Sequence, residues 1–474
     1  MSSASTGEFH TPGLEGKEAK ERVARRAFAF PLDEDSSSKN GEVVQGWDRA
    51  TRGPRRRGRS RGRGGGAQDL AVDAAAPLAD GRWVIDVVLL PGRDRSARRR
   101  HPWVLSGAVA RVLGESEGSL GAWARVLSAE GETLGFGHYS PASQIRVRIL
   151  AFGKDAPDDT LICERIAQAV ARRAGDPLVG ETDAVRLVNS EADGLPGLVA
   201  DRYGDVVVLK LGSAGMSARR ELLVSALRDA TSAPSGFERA DAAAARREGV
   251  AVREGPVWGP APEPRVWIRE RGRRYAVDLV HGQKTGFYLD QRDSRDLVES
   301  LAARRRVLDL FAYTGGFSVA AAHAGAASLT LVESSAEALA LARENIAAAP
   351  PVPETAFVET DAFRFVRQDA GRYDLIVIDP PPLARRAADA ARAARAHKDV
   401  LLFALRRAAE GALVLAFSCS HSVDAKLLRQ VAFAASLDAL RPAQVVRELG
   451  APADHPVSLD HPEGVYLKGL LLRV

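Results

Sequence analysis

Cysteine is scarce. Only Cys163 and Cys419 occur in 474 residues. That pair can build neither a disulfide framework nor a cysteine-based metal site, so no metal is expected. A reducing, cytoplasmic setting fits. The chain also lacks a long uninterrupted apolar run, which argues against a membrane-spanning helix. Its polar start (MSSASTGEFHTPGLEGKEAK) has no apolar h-region, so no secretory leader is read. Charge of one sign is in small excess: the net is +5 and the pI about 9.3. The first 80 residues carry +2 of it and the remainder +3. Such a balance suits a polyanionic partner without requiring one. What is present is 45% hydrophobic and 27% charged, the composition of a soluble globular protein with enough apolar mass for two or three cores.

Four regions follow from the pattern. Residues 1–80 mix charges without periodicity and contain TRGPRRRGRSRGRGGG, Thr51 to Gly66. Arginine and glycine at that density bury no apolar surface, so a disordered tail is expected. It is either a sequence-tolerant nucleic-acid tether or a dispensable extension. Residues 83–150 alternate β-rich runs with turns such as AEGE and read as a small all-β module. Its RDRSARRRHPW segment is expected as a surface loop bearing several arginines. Residues 160–280 read as α+β. The segment ERIAQAVARRA is a helix, with Cys163 a packing residue near its start. RLVNSEADGLPGLVADRYGDVVVLKL reads as strand, turn, strand, ARRELLVSALRDA as a helix, and RVWIRERGRRYAVDL as strand-like. EGPVWGPAPEP is taken as a loop. From His281 to Val474 strands alternate with helices, the rhythm of a parallel sheet with right-handed crossovers. The expected fold is therefore α/β: a doubly wound domain preceded by a small all-β module and a central α+β domain.

Four short runs in the last region carry the chemistry. VLDLFAYTGGFS, LTLVE, DLIVIDPPP and VLAFSCS are apolar strands ending in polar or glycine-rich residues, as an open doubly wound sheet presents a ligand site at its carboxyl edge. Gly315 and Gly316 let backbone approach a ligand at a strand-to-helix turn. The turn is not GxGxxG and is weak evidence alone. Glu333 lies 18 residues beyond Gly315 at the next strand end, where an acid takes two ribose hydroxyls. Asp361 ends a third run, within reach of an adenine edge. One such acid would be an ordinary helix cap; three in register with a glycine turn favour a nucleoside cofactor. The prolines after Asp379 stop the strand and fix a rigid loop that turns this carboxylate into the cleft. Cys419 ends an apolar run between two hydroxyls and is read as a reactive thiol.

With these segments, and RRRHPWVLSGAV, VNSEADGLPGLVADRYGD, GQKTGFYLDQRDSR and HPEGVYLKGLLLRV, the chain resembles the class I S-adenosylmethionine-dependent methyltransferases. More closely, it resembles the bacterial 23S ribosomal RNA cytosine-5 methyltransferase family with an N-terminal PUA domain. The likeness spans about residues 83–474 and makes the doubly wound domain Rossmann-like and the all-β module a small β-barrel. It implies S-adenosylmethionine as cofactor and ribosomal RNA as partner, and it leaves room for a homodimer. It implies a cofactor site of Tyr288, Asp290, Gln291, Arg292, Asp309, Tyr313, Gly315, Gly316, Glu333, Asp361 and Asp379, with Arg292 a partner for the cofactor's carboxylate. Cys419 would attack the cytosine ring while Asp379 hydrogen-bonds its nitrogen edge. Arg98, Arg99, Arg100, His101 and Trp103 would meet RNA. Two departures fall on the substrate side: Pro382-Leu383 stands where the family has Lys-Phe, and the tract after it, which in the family contains Tyr-Lys, reads Ala396-His397-Lys398-Asp399.

Three other functions compete. A base-nitrogen methyltransferase would favour an aromatic residue after DPP, and Leu383 is not one. A small-molecule methyltransferase would need no second binding module. A non-catalytic RNA-binding protein would not need the cofactor constellation.

Overall fold

The computed structural model describes residues 84–383 and 389–474. The expected tail over residues 1–80, with its Arg/Gly tract, lies outside the described residues.

The first sheet runs from β1 (Ile85–Leu89), whose every residue is buried, through β2 (Trp103–Leu105), β3 (Val109–Leu113), β4 (Trp123–Leu127), β5 (Thr133–Tyr139) and β6 (Ile145–Phe152). Its order is β2-β6-β5-β4-β1-β3. The expected arginine-bearing surface loop is instead a helical turn, α1 (Arg95–Arg98), leading to β2. Ala97 anchors the turn by burial, and Arg98 bridges Asp94 and Glu132 at 2.5 and 2.7 Å. That pairing converts a charge run into local structure.

After α2 (Thr160–Arg173) comes a second sheet of β7 (Ala184–Asn189), β8 (Leu198–Tyr203), β9 (Val206–Leu211), β10 (Ser235–Glu238) and β11 (Gly255–Trp258), with α3 (Ala214–Ala218), α4 (Arg220–Thr231) and α5 (Ala242–Glu248) between strands. The segment read as two strands is three, because Gly204 at φ 58° closes a tight turn inside it. The segment expected as a loop holds β11. Its Trp258 covers Gly236 of β10 so closely that a Cβ there would sit 2.3 Å from the indole. The strand-like run after it is a hairpin, β12 (Arg265–Glu270) and β13 (Arg273–Asp278), with Arg271 and Gly272 both left-handed at its turn.

The third large sheet holds the site. It comprises β14 (Arg306–Leu310), β15 (Ser328–Glu333), β16 (Glu354–Glu359), β17 (Tyr373–Ile378), β18 (Ala408–Ser418), β19 (Gln444–Leu449) and β20 (Lys468–Arg473). The order is β16-β15-β14-β17-β18-β20-β19. The first five are parallel, and β20 enters antiparallel between β18 and β19. The helices α6 (Arg292–Ala302), α7 (Gly316–His323) and α8 (Ala336–Ala347) pack on one face. On the other lie α9 (Ala362–Gln368), α10 (Ala390–Arg407) and α11 (Ala425–Ala439). This is the doubly wound, Rossmann-like arrangement expected. Strands β14 and β17, buried from both sides, are nearly continuous apolar runs for that reason.

Beside this sheet, Glu270 at the end of β12 is 0% exposed. Arg295 clasps it at 2.6 and 2.8 Å, Arg273 lies at 3.3 Å and Arg292 at 3.6 Å. Burial opposes its ionisation, but these guanidinium groups hold its carboxyl below the ordinary range. Asp290 and Asp454, also buried, are held low against the same opposition, by Lys284 and His455 respectively. Replacing Glu270 by Gln should remove about 3–5 kcal/mol of stability, because buried cations lose their counter-charge. Urea unfolding measures it. The three depressed carboxyls contribute stability that is complete above their ordinary values of 3.8–4.5 and is lost as pH falls through their lower folded values. The parent's urea midpoint should therefore fall steeply below that range, and less steeply in the Glu270→Gln variant.

Candidate active site at the carboxyl edge of the large sheet

The turn after β14 is built from left-handed residues. Phe311 at φ 64°, Tyr313 at φ 50° and Gly315 at φ 78° fall within five positions. A Cβ on Gly315 would press Ala342 and Leu331 at 3.3 Å, so glycine is required there by space and by φ. At Gly316 the nearest atom would be 3.5 Å away, and its backbone simply borders the cleft. Two non-glycine residues held at positive φ are a strained arrangement maintained by their surroundings. The turn aims the Tyr313 N–H at Glu333, which accepts it at 2.9 Å. The other oxygen of Glu333 accepts from the backbone of Ser334 and Ser335 at 2.7 and 2.9 Å. The Ser334 hydroxyl donates to that same oxygen at 3.2 Å, so the lone pair left open is on the oxygen that faces Tyr313. Asp309 lies behind the turn, fully buried, with Ser318 donating to one oxygen at 2.6 Å and the other oxygen without a partner. Burial pushes its carboxyl up to about 7.

On the far side of β14, Asp379 and Cys419 immediately follow the strands β17 and β18. Both line the cleft that Tyr313, Gly316 and Glu333 border. Burial, then the negative charge of Asp290, pushes the Asp379 carboxyl up to about 7. Gln291 donates to it at 2.9 Å and opposes that rise. Cys419 is half-buried, its Sγ 3.9 Å from the Pro380 carbonyl oxygen. Burial first and Asp379 second raise its thiol to about 11. The two groups thus share one proton between about pH 7 and about 11.

The segment before α6 forms the roof. Tyr288, Asp290 and Gln291 reach the cleft together. Asp290 accepts from Lys284 at 2.6 Å and from the Tyr466 hydroxyl at 2.8 Å. The Lys284 ammonium sits between the rings of Tyr288 and Tyr466, 5.1 and 5.0 Å from their centroids. Neither Lys284 nor Tyr466 was singled out from sequence. Lys284 stands in the quoted GQKTGFYLDQR, where a glycine two residues before it and another two residues after it were the available signal; the structure holds it at φ 58°. Tyr466 stands in the quoted HPEGVYLKGLLLRV, but nothing local ties it to Asp290, 176 residues away.

Other expected site residues fall elsewhere. Arg292 is 0% exposed and does not border the cleft. It donates to Asp454 at 2.9 Å and to the Ala184 carbonyl at 2.7 Å, a structural tie in place of the expected carboxylate partner. Asp361 is an exposed N-cap, accepting from Arg364 N at 2.8 Å. It is outside the cleft lining. Around the first sheet, Arg99 and Arg100 are exposed while Arg98 is paired. His101 pairs with Glu463 at 3.1 Å. Trp103 donates to Glu191 at 2.9 Å, its ring edge-on to His461.

The residues present suit the nucleoside cofactor that the resemblance implies. They supply an oriented, half-buried Glu333 and an aromatic rim of Phe311 and Tyr313, while the expected Asp309 is buried behind the turn and outside the cleft lining.

Comparison with known proteins agrees with this arrangement. Residues 256–423 match a family model described as S-adenosylmethionine-dependent methyltransferase, and residues 87–152 one described as PUA-like domain. Ribosomal RNA large subunit methyltransferase I of Escherichia coli strain K12 is 40% identical over 395 residues, covering 82% of this chain and 99% of that protein. The protein of that name from Escherichia coli O6:H1 is 39% identical with the same coverage. A chain from Streptococcus mutans described as a SAM-dependent methyltransferase shares the fold at a TM-score of 0.70 and 22% identity, over 82% of this chain and 100% of that one. A methyltransferase structure complexed with SAH superposes equally well, with the same identity and coverage. Among the described residues no helix is long and apolar enough to cross a membrane.

Two measurements test the site. In a Cys163→Ser background, alkylation of Cys419 by iodoacetamide should be slow at pH 7.5. It should rise about tenfold per pH unit up to about 11, because only the thiolate reacts. A rate already flat at pH 8 would show a low-pKa thiol instead. Glu333→Ala should weaken S-adenosylmethionine binding in calorimetry by about 1.5–3 kcal/mol for each charge-assisted hydrogen bond lost.

Proposed function

The chain belongs to the ribosomal RNA large subunit methyltransferase I family, and on that premise we propose that it methylates carbon 5 of a cytosine in 23S ribosomal RNA. The observation that carries the reading is one cleft shared by a thiol, Cys419, a carboxyl poised near neutrality, Asp379, and the oriented acid Glu333. S-adenosylmethionine, when bound, supplies an electrophilic methyl group. The chain's own residues must make carbon 5 nucleophilic enough to take it.

In this reading the Cys419 proton passes to the Asp379 carboxylate, and the thiolate adds to carbon 6. As the sulfur–carbon bond forms, the ring's π electrons shift toward nitrogen 3, which takes the proton from Asp379. Carbon 5 is then enamine-like. After it is methylated, its proton is lost to solvent, the sulfur–carbon bond breaks with its electron pair returning to Cys419, and the 5,6 double bond re-forms. Nitrogen 3 returns its proton to Asp379. The base must be splayed from its stack to enter such a cleft. Residues 281–474 would carry the chemistry. Residues 83–150, with Arg99 and Arg100 exposed, and the central region 160–280 would hold the RNA.

Cys419→Ser should lower turnover by several orders of magnitude while S-adenosylmethionine affinity stays within a few-fold. Ribosomal RNA transcribed with 5-fluorocytidine should form a covalent complex with the parent protein, since fluorine cannot leave as a proton does. A parent protein that gave no adduct, with Cys419→Ala retaining near-normal turnover, would favour base-nitrogen methylation. The pH profile carries a second test. One proton must be shared by the pair, so kcat/KM should rise with pH through about 7 and then stay flat toward about 11. Asp379→Asn should remove that acid limb and most of the rate.

A further inference from the structure

Gln291 is 2% exposed and borders the cleft beside Asp379 and Cys419. Its amide is oriented by one bond: the Nε2 donates to Asp379 Oδ2 at 2.9 Å. That leaves its carbonyl Oε1 buried with no partner. A buried amide oxygen without a donor is costly, and a ligand that brings the donor recovers the cost.

The nearest chemistry narrows the ligand. A group entering between Cys419 and Asp379 presents an edge to a carboxyl that carries the proton in transit and to this unpartnered acceptor. Cytosine presents nitrogen 3, which needs a donor, next to an exocyclic amine, which is one. Uracil presents a nitrogen 3 that already holds its proton next to a carbonyl oxygen. That oxygen would face Gln291 Oε1, acceptor against acceptor. From this pairing we infer that Gln291 is the residue that selects cytosine over uracil, its Oε1 accepting from the exocyclic amine, and that it also holds Asp379 in line with nitrogen 3. The inference rests on the carbon-5 reading of the cleft and moves Gln291 from the cofactor's side, where the family likeness placed it, to the base's side.

Sites built to hydrogen-bond a substrate group reject analogues lacking it far more strongly than apolar pockets reject size. The selectivity should therefore collapse when the acceptor goes. The experiment first maps the methylated cytosine that the parent protein produces in transcribed large-subunit ribosomal RNA. It then compares that transcript with one carrying uridine at the mapped position, for the parent, Gln291→Leu and Gln291→Glu. S-adenosylmethionine affinity is read in parallel by calorimetry.

For Gln291→Leu the cytosine-over-uracil ratio of kcat/KM should fall at least about tenfold while cofactor affinity changes less than about threefold. Gln291→Glu keeps an acceptor, so it should keep the preference. It also sets a second carboxylate against Asp379, so its acid limb should move above the parent's, the like charge making Asp379 harder to ionise. Gln291→Leu with an unchanged ratio, or with cofactor affinity lost and the ratio intact, would overturn the inference. So would a Gln291→Glu acid limb that does not move. If Gln291→Leu does not fold, Gln291→Glu decides through its preference and its limb. A parent protein that yields no 5-methylcytidine fails the carbon-5 reading itself, a result visible before any variant is compared.

Discussion

Glu270 holds a negative charge where water does not reach, and Arg273, Arg292 and Arg295 converge on it from two elements. Removing any one charge from such a group leaves the others uncompensated in a low-dielectric interior. The cluster therefore sets where α6 begins relative to the β12–β13 hairpin. Tyr288, Asp290 and Gln291 stand immediately before that helix, so the roof of the cleft inherits its position. The second hand of Arg292, on Asp454, draws in the segment that ends at Tyr466, and Tyr466 closes on Asp290.

A second support comes from the central region. Arg239 donates to the carbonyl oxygens of Leu279 and Gly282 at 2.9 and 2.8 Å. The Gln283 N–H that follows donates to the Tyr313 hydroxyl at 2.7 Å. The loop bearing Lys284 is thus pinned ahead of Lys284 by a guanidinium and beyond it by the same Tyr313 hydroxyl, which donates to the Gly286 carbonyl at 3.3 Å. A loop held at both ends keeps Lys284 at positive φ, where it neutralises Asp290 and lies between two aromatic faces. With Asp290 ionised, its charge helps to keep Asp379 protonated. The acidity of the chemical centre is in this way tuned from outside its own strands.

What could be read from sequence was local. Glu333, Asp379, Cys419 and the Gly315 turn each follow an apolar run that becomes a strand, and a strand end is visible in a few residues. The doubly wound sheet followed from the same alternation. What could not be read was long-range or set by facing. Arg292 and Arg295 are three apart on α6, and both turn inward. The pattern shows two cations but not that one is spent on Asp454, 162 residues later. The strand β11 is flanked by prolines and glycines and reads as a loop until Trp258 finds Gly236. The arginines of α1 resemble a solvated run because Glu132, which orders one of them, lies 34 residues away.

The strand order has a consequence for how the molecule is made. β20 lies between β18 and β19 yet follows both in sequence, so β19 has no neighbour in the sheet until β20 arrives. In a chain produced from its amino end, β14 to β17 and the Glu333 turn can dock first, because their partners precede or adjoin them. The Cys419 end of β18 keeps one bare ladder edge until its non-local partner closes it. The half of the cleft that would hold a nucleoside therefore sets ahead of the half that carries the thiol, and Cys419 acquires its final surroundings among the last joins of the fold.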